Sequence, residues 1–129
     1  MTHWKEVLGW GEEQCEELRV TGYAYLRQGK YDIAKTLFEA LVILEPDNAY
    51  HIQTLGALYL QLGDAKKAAK ILEKSLKIEG EHAPALLNLA KSLFLLGKKE
   101  EALKIAHMLK RESSRLLSNM AKALILAYS

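Results

Sequence analysis

The chain holds one cysteine and two prolines in 129 residues, and only 8% of it is aromatic. A single thiol, Cys15, cannot close an internal disulfide. That sets aside the disulfide-stapled secreted class and agrees with a reducing compartment. With proline only at Pro46 and Pro84, long stretches stay free of the residue that a helix interior excludes. No run approaches the roughly 20 apolar residues of a membrane span. The opening MTHWKEVLGWGEEQCEEL lacks the basic-then-apolar order of a secretory signal. The expectation is one cytoplasmic domain with no membrane insertion. A net charge of +2 is too small to argue for nucleic acid or an acidic membrane.

Catalytic and metal-binding patterns are absent as well. His3, His51, His82 and His107 never pair at helical i, i+3 or i, i+4 spacing, and one cysteine cannot make a zinc knuckle. The Gly-Lys pairs in GKYD and GKKEE lack the upstream glycine and following Ser or Thr of a phosphate loop. No G-x-S-x-G elbow occurs, and Cys15 has no obvious histidine partner. Glu12, Glu13, Glu16 and Glu17 cluster, but at a helix start they complement the helix dipole. The sequence thus predicts no enzyme, no cofactor and no metal, and function has to be read from a surface.

What is present is a repeat. Gly29, Gly63 and Gly97 are spaced 34 residues apart, and so are Ala34, Ala68 and Ala102, and Gly22, Gly56 and Ala90. A period of this size is the mark of stacked helix–turn–helix units. Three units follow, at 15–48, 49–82 and 83–116, preceded by an N-terminal arm at 1–14 and overlapped by a capping helix at 113–129. Each glycine of the first set ends a first helix (A), where a left-handed turn costs glycine little. The small residues let helix A approach helix B of the same unit, with Gly22 facing Ala34, Gly56 facing Ala68 and Ala90 facing Ala102. Tyr25, Tyr59, Leu93, Phe38 and Leu72 fill the core beside them.

Leu18, Gly22, Tyr25, Ala34, Phe38 and Pro46 stand where the tetratricopeptide motif places such residues, and the chain resembles that family over about Cys15 to Leu116. The motif decays toward the end, with Gly80 replacing a proline and Ala90, Leu93, Ala106 and Ser114 at motif sites. The resemblance implies an all-α fold, three repeats stacked in a right-handed superhelix plus the capping helix. Its A helices would line a concave groove, and helical spacing turns Tyr23, Leu26, Tyr50, Ala57, Leu60, Leu87 and Phe94 toward it. Repeat proteins that clamp acidic chaperone tails put Lys, Arg and Asn on this surface. Here Tyr23, Thr54, Pro84 and Leu87 occupy those sites, so the groove suits an apolar client segment, unless the arm or a second copy fills it.

The stretch GKYDIAKTLFEALVILEPDNAYHIQTLGALYLQLGD further resembles the small chaperones of bacterial type III secretion. That implies a bacterial, cytoplasmic protein holding a hydrophobic export subunit. Length and a short arm look more like the needle-subunit type, which works with a small helical co-chaperone, than the translocator type. The alternative is an adaptor that uses its convex face and apolar tail. In that tail Leu117, Leu124, Ile125 and Tyr128 exceed one helical stripe. They serve either as an interface to a co-chaperone or a second copy, or as a contact folded back on the repeats. Ser113 or Ser114 is the expected N-cap of this helix. Lys66, Lys67, Lys70, Lys74 and Lys77 form a stripe that reads as a solvated outer face, with an acidic protein partner as the other option. The stripe has neither the interleaved aromatics nor the arginines of a nucleic-acid site.

Overall fold

A computed structural model describes residues 4–80, 82–111 and 114–128. Among these the chain forms eight helices: α1 Trp4–Leu8, α2 Glu12–Arg27, α3 Tyr31–Leu44, α4 Ala49–Gln61, α5 Ala65–Ile78, α6 Ala83–Leu95, α7 Lys99–Leu109 and α8 Arg115–Tyr128. From α2 onward each helix packs on the next, α4 also packs on α6, and α6 on α8. The fold is the expected all-α repeat stack, with α2/α3, α4/α5 and α6/α7 as its pairs. Helix α2 opens ahead of Cys15. Gln14 turns back to accept the Gly11 N–H at 2.8 Å, while Glu12 and Glu13 occupy the first turn, where the helix dipole favours negative charge.

Gly29, Gly63 and Gly97 take φ of +75°, +84° and +80°. In each turn the next residue's N–H reaches back across the helix end: Lys30 to the Tyr25 carbonyl (3.0 Å), Asp64 to Tyr59 (2.8 Å) and Lys98 to Leu93 (2.9 Å). These bonds satisfy carbonyls that a helix end would leave orphaned. Asn48 and Asp64 cap the helices that follow them, accepting N–H groups from His51 and Lys67 at 3.1 Å each. Ser114 takes that place before α8, receiving the Leu117 N–H at 3.5 Å; Ser113 lies outside the described residues.

The small residues act as expected, but the closest neighbours of the two glycines are larger than the alanines. A Cβ at Gly22 would lie 2.9 Å from Phe38 Cε2, and one at Gly56 would lie 2.6 Å from both Cγ and Cδ2 of Leu72. Phe38 and Leu72 are fully buried and so cannot retreat. Ala34, Ala68, Ala90 and Ala102 are fully buried too.

The tail departs from the interface reading. Leu124 and Ile125 pack on the core formed by α5, α6 and α7, and Leu117 and Leu124 border the buried cluster of Leu87, Leu109 and Ala121. Tyr128 stacks on Phe94, ring centroids 4.4 Å apart and planes at 13°. Helix α8 therefore folds back on its own repeats. The apolar edge of α6 and α7 is thereby covered. Leu116, Leu126 and, at its margin, Tyr128 remain as the exposed large apolar residues of α8.

At the other end α1 rests on α3. Lys5 Nζ sits 3.1 Å from Glu45 and 3.7 Å from Glu12. Beside this pair His51 is 3% exposed, and its Nδ1 lies 3.5 Å from Glu45 Oε1 without a hydrogen bond. Burial moves its pKa below the ordinary 6.5 against the pull of Glu45, and Arg19 and Lys5 act in the same downward direction as burial.

Three outcomes follow from this packing. Gly56→Leu should lose about 1–3 kcal/mol or more through overpacking. In thermal melts followed by circular dichroism, pairing it with Leu72→Ala should return part of that loss if the contact is the cause. Leu124→Lys should lower the melting temperature by the equivalent of about 1–3 kcal/mol without changing the sedimentation behaviour, because the side chain covers the chain's own core. His51 is neutral in the fold, so its contribution is complete above the ordinary 6.5 and is lost as pH falls through the depressed folded value. The melting temperature should therefore drop between neutral pH and about pH 5 more steeply in the native chain than in His51→Gln. Parallel curves would remove His51 from the pH response.

Candidate functional site: the inner groove

Helices α4, α6 and α8 stand side by side and enclose a cavity of about 420 Å³. Ala57, Leu60 and Gln61 line it from α4, Asn88, Lys91 and Leu95 from α6, and Leu124 and Tyr128 from α8. From the first lining residue of each, the α4 residues fall at three and four and the α6 residues at three and seven, one face of each helix. The floor is aliphatic, with an amide or ammonium group on either side. Leu60 and Ala57 are half-buried and Leu95 is 59% exposed, so apolar surface remains open in the groove.

The residues expected to face the groove separate into four groups. Ala57 and Leu60 line the cavity. Tyr23 and Leu26 lie nearer the α2 end, half-buried against the core around Phe38. The Tyr23 hydroxyl lies 3.3 Å from Thr54 Oγ1, and its ring meets the Phe38 ring edge-on at 5.0 Å. Tyr50 is 61% exposed at the start of α4, its ring 5.1 Å from that of His82. Leu87 and Phe94 do not open to the groove: they are 4% and 5% exposed, consumed by the contacts with α7 and α8 described above. The cause is position in the stack. A site that faces a groove in an inner repeat faces the cap in the last one.

Asn88 escaped the sequence reading because repeat spacing points to its neighbours Leu87 and Lys91. For α8 the sequence left two alternatives open, an outside interface or a fold-back, because spacing alone does not say which way a tail folds. Tyr23 and Thr54, hydrogen-bonded to one another, occupy two of the sites where an acidic-tail clamp would need cations.

A second hollow of about 230 Å³ lies between α2 and the α3–α4 turn, lined by Glu12, Cys15, Glu16, Arg19, Glu45, Asn48 and His51. Its charges are matched internally: Arg19 pairs with Glu16, and Lys5 with Glu45 and Glu12. Burial pushes the Cys15 thiol above its ordinary range, which keeps it protonated and a poor nucleophile. Among the described residues no group of three or more His, Cys, Asp or Glu side chains is placed to hold a metal ion. No helix among them is long and apolar enough to cross a membrane.

Known proteins share this architecture. The chain is 30% identical over 82 residues to anaphase-promoting complex subunit 3 of Schizosaccharomyces pombe, a match covering 64% of this chain and 12% of that protein. Among solved structures, a type III secretion complex from Aeromonas hydrophila superposes with a TM-score of 0.81 at 22% identity, covering 96% of this chain and 84% of that one. The Yersinia enterocolitica type III secretion chaperone SycD, in complex with a peptide of the translocator YopD, gives 0.78 at 19% identity over 92% and 98%. At these identities the structural likeness establishes the fold alone, a stack of paired helices. A family model matches residues 27–109, well over half of the chain, and the chain belongs to that family of helical repeats, described as anaphase-promoting complex, cyclosome, subunit 3.

Proposed function

We propose that this chain is a non-enzymatic holding protein whose inner groove takes an apolar helical segment of a client protein. One observation carries the reading: one wall of the groove is already an apolar helical segment of its own chain. Leu124 and Tyr128, one helical turn apart, line it, with Tyr128 stacked on Phe94. A client helix with an aliphatic and an aromatic residue at i and i+4 would meet the same surface. Tyr23, Leu26, Tyr50, Ala57 and Leu60 are the proposed client contacts, joined by Leu95. Leu87 and Phe94 support the wall from behind.

Within this role the preferred use is that of a cytoplasmic type III secretion chaperone of the needle-subunit type. The client would be a hydrophobic export subunit, with a small helical co-chaperone or a second copy as a further partner. The fold shared with SycD, a type III secretion chaperone solved in complex with a translocator peptide, supports the wider secretion-chaperone role. The second reading is an adaptor in a larger assembly. It is favoured by the likeness to a subunit of the anaphase-promoting complex, of which this chain spans 12%.

The test is a titration of a labelled amphipathic peptide carrying leucine and tyrosine at i, i+4. Leu60→Glu and Leu95→Glu should each weaken binding by roughly 10–100-fold, as expected for one apolar anchor worth about 1.5–3 kcal/mol. Helical circular dichroism should be retained. Unchanged affinity in both glutamate variants would show that the groove is the wrong surface.

A further inference from the structure

The lysines of α5 enclose a trough that the inner groove does not use. It has a volume of about 610 Å³, and it shares no lining residue with the groove cavity. Tyr59 of α4 and Ile71 of α5 form a half-buried floor, and Lys67, Lys70, Lys74 and Lys77 rise around it. Lys66, the remaining member of the stripe, is not part of the lining.

The floor is held in place from below. The Tyr59 hydroxyl donates to Glu39 at 2.9 Å, and both floor residues pack against the core clusters on either side. The walls are different. Lys67 stands 5.8 Å over the Tyr59 ring, and among the described residues none of the four lysines has a carboxylate within ion-pair distance. Four lysines against Glu73, the one acid in the lining, leave the trough more positive than the whole chain's +2. A hollow of one sign with low-dielectric walls focuses its field on an incoming partner of the opposite sign.

We propose that this trough is a second docking surface, and that its occupant is an acidic amphipathic helix of a partner protein. Such a helix would set carboxylates on the lysine walls and an apolar side chain on Tyr59 and Ile71. The lysines fall at i, i+3, i+7 and i+10 along α5, about 15 Å from first to last. That length fits about three turns of a helix lying alongside. Two features favour a peptide over a polyanion. Glu73 interrupts the positive strip and repels an unbroken phosphate backbone, and the lining holds no arginine to grip phosphates bidentately. The recess, with apolar surface at its base, also fits a side chain better than a flat lipid surface.

The full-length chain would be titrated by fluorescence anisotropy with a labelled synthetic helix. That probe bears glutamates at i, i+3, i+7 and i+10 and one leucine between them; a scrambled peptide of equal charge is the comparison. The native chain should bind the ordered peptide at least tenfold more tightly than the scramble, and binding should weaken with added salt. Lys70→Glu with Lys74→Glu, folded by circular dichroism, should lose that binding at least tenfold. Leu60→Glu should bind the peptide as the native chain does, which separates this surface from the inner groove. A peptide whose glutamates are replaced by lysines should regain affinity for the doubly reversed variant. The proposal is overturned by no difference between ordered and scrambled peptides. It is overturned equally by unchanged binding in the reversed variant, by loss in Leu60→Glu, or by tighter capture of a single-stranded oligonucleotide or phosphatidylserine vesicles.

Discussion

The approach of helix α2 to α3 and of α4 to α5 is set where a hydrogen stands in place of a side chain. With Phe38 Cε2 2.9 Å and the Leu72 tip 2.6 Å from where a Cβ would lie, the two helices of a pair sit closer than any other residue would allow. Phe38 and Leu72 are fully buried as a result, and each also joins its pair to the core of its neighbour. The glycine turns at positions 29, 63 and 97 then return the chain at a similar angle each time. Close approach and a repeated turn together convert a 34-residue period into a stack. The inner groove and the lysine trough are two of the surfaces that this stacking leaves open around α4.

Features that depend on neighbours within one repeat were readable from the sequence, because the period copies them. The positive-φ glycines and the buried alanines belong to this class. Features that depend on the end of the stack were not. Leu87 and Phe94 occupy groove-facing sites by count, yet α8 packs over them. The same packing explains the tail. Its apolar residues exceed one stripe since they cover both the side of the last repeat and the end of the groove, so the surplus that suggests an outside partner is spent inside.

Lys91 and Asn88 show why the groove keeps a mixed character. A wholly apolar hollow on an exposed face invites aggregation, and these two side chains, with Gln61 opposite, bring polar groups to its rim without filling it. Lys91 has no carboxylate within ion-pair distance among the described residues. Its long apolar stem can lie along the wall while the ammonium stays in water.

The two ends of the groove differ in how they are closed. At the α6–α8 end the backbones pack directly, and Tyr128 stacks on Phe94 in a near-parallel arrangement that aromatic rings favour when offset. Between α2 and α4 the helices are joined by side chains instead, through the Tyr23 and Thr54 hydroxyls at 3.3 Å. Thr54 is itself committed, since its hydroxyl donates to the Tyr50 carbonyl at 2.8 Å. It can therefore serve Tyr23 as an acceptor, and one hydroxyl-to-hydroxyl bond contributes about 1 kcal/mol. That is small beside the apolar burial that fixes α8. The stack is consequently tight where its own tail covers it and looser where α2 begins, and the side chains at the looser end, Tyr23 and Leu26, are those that the tail does not reach.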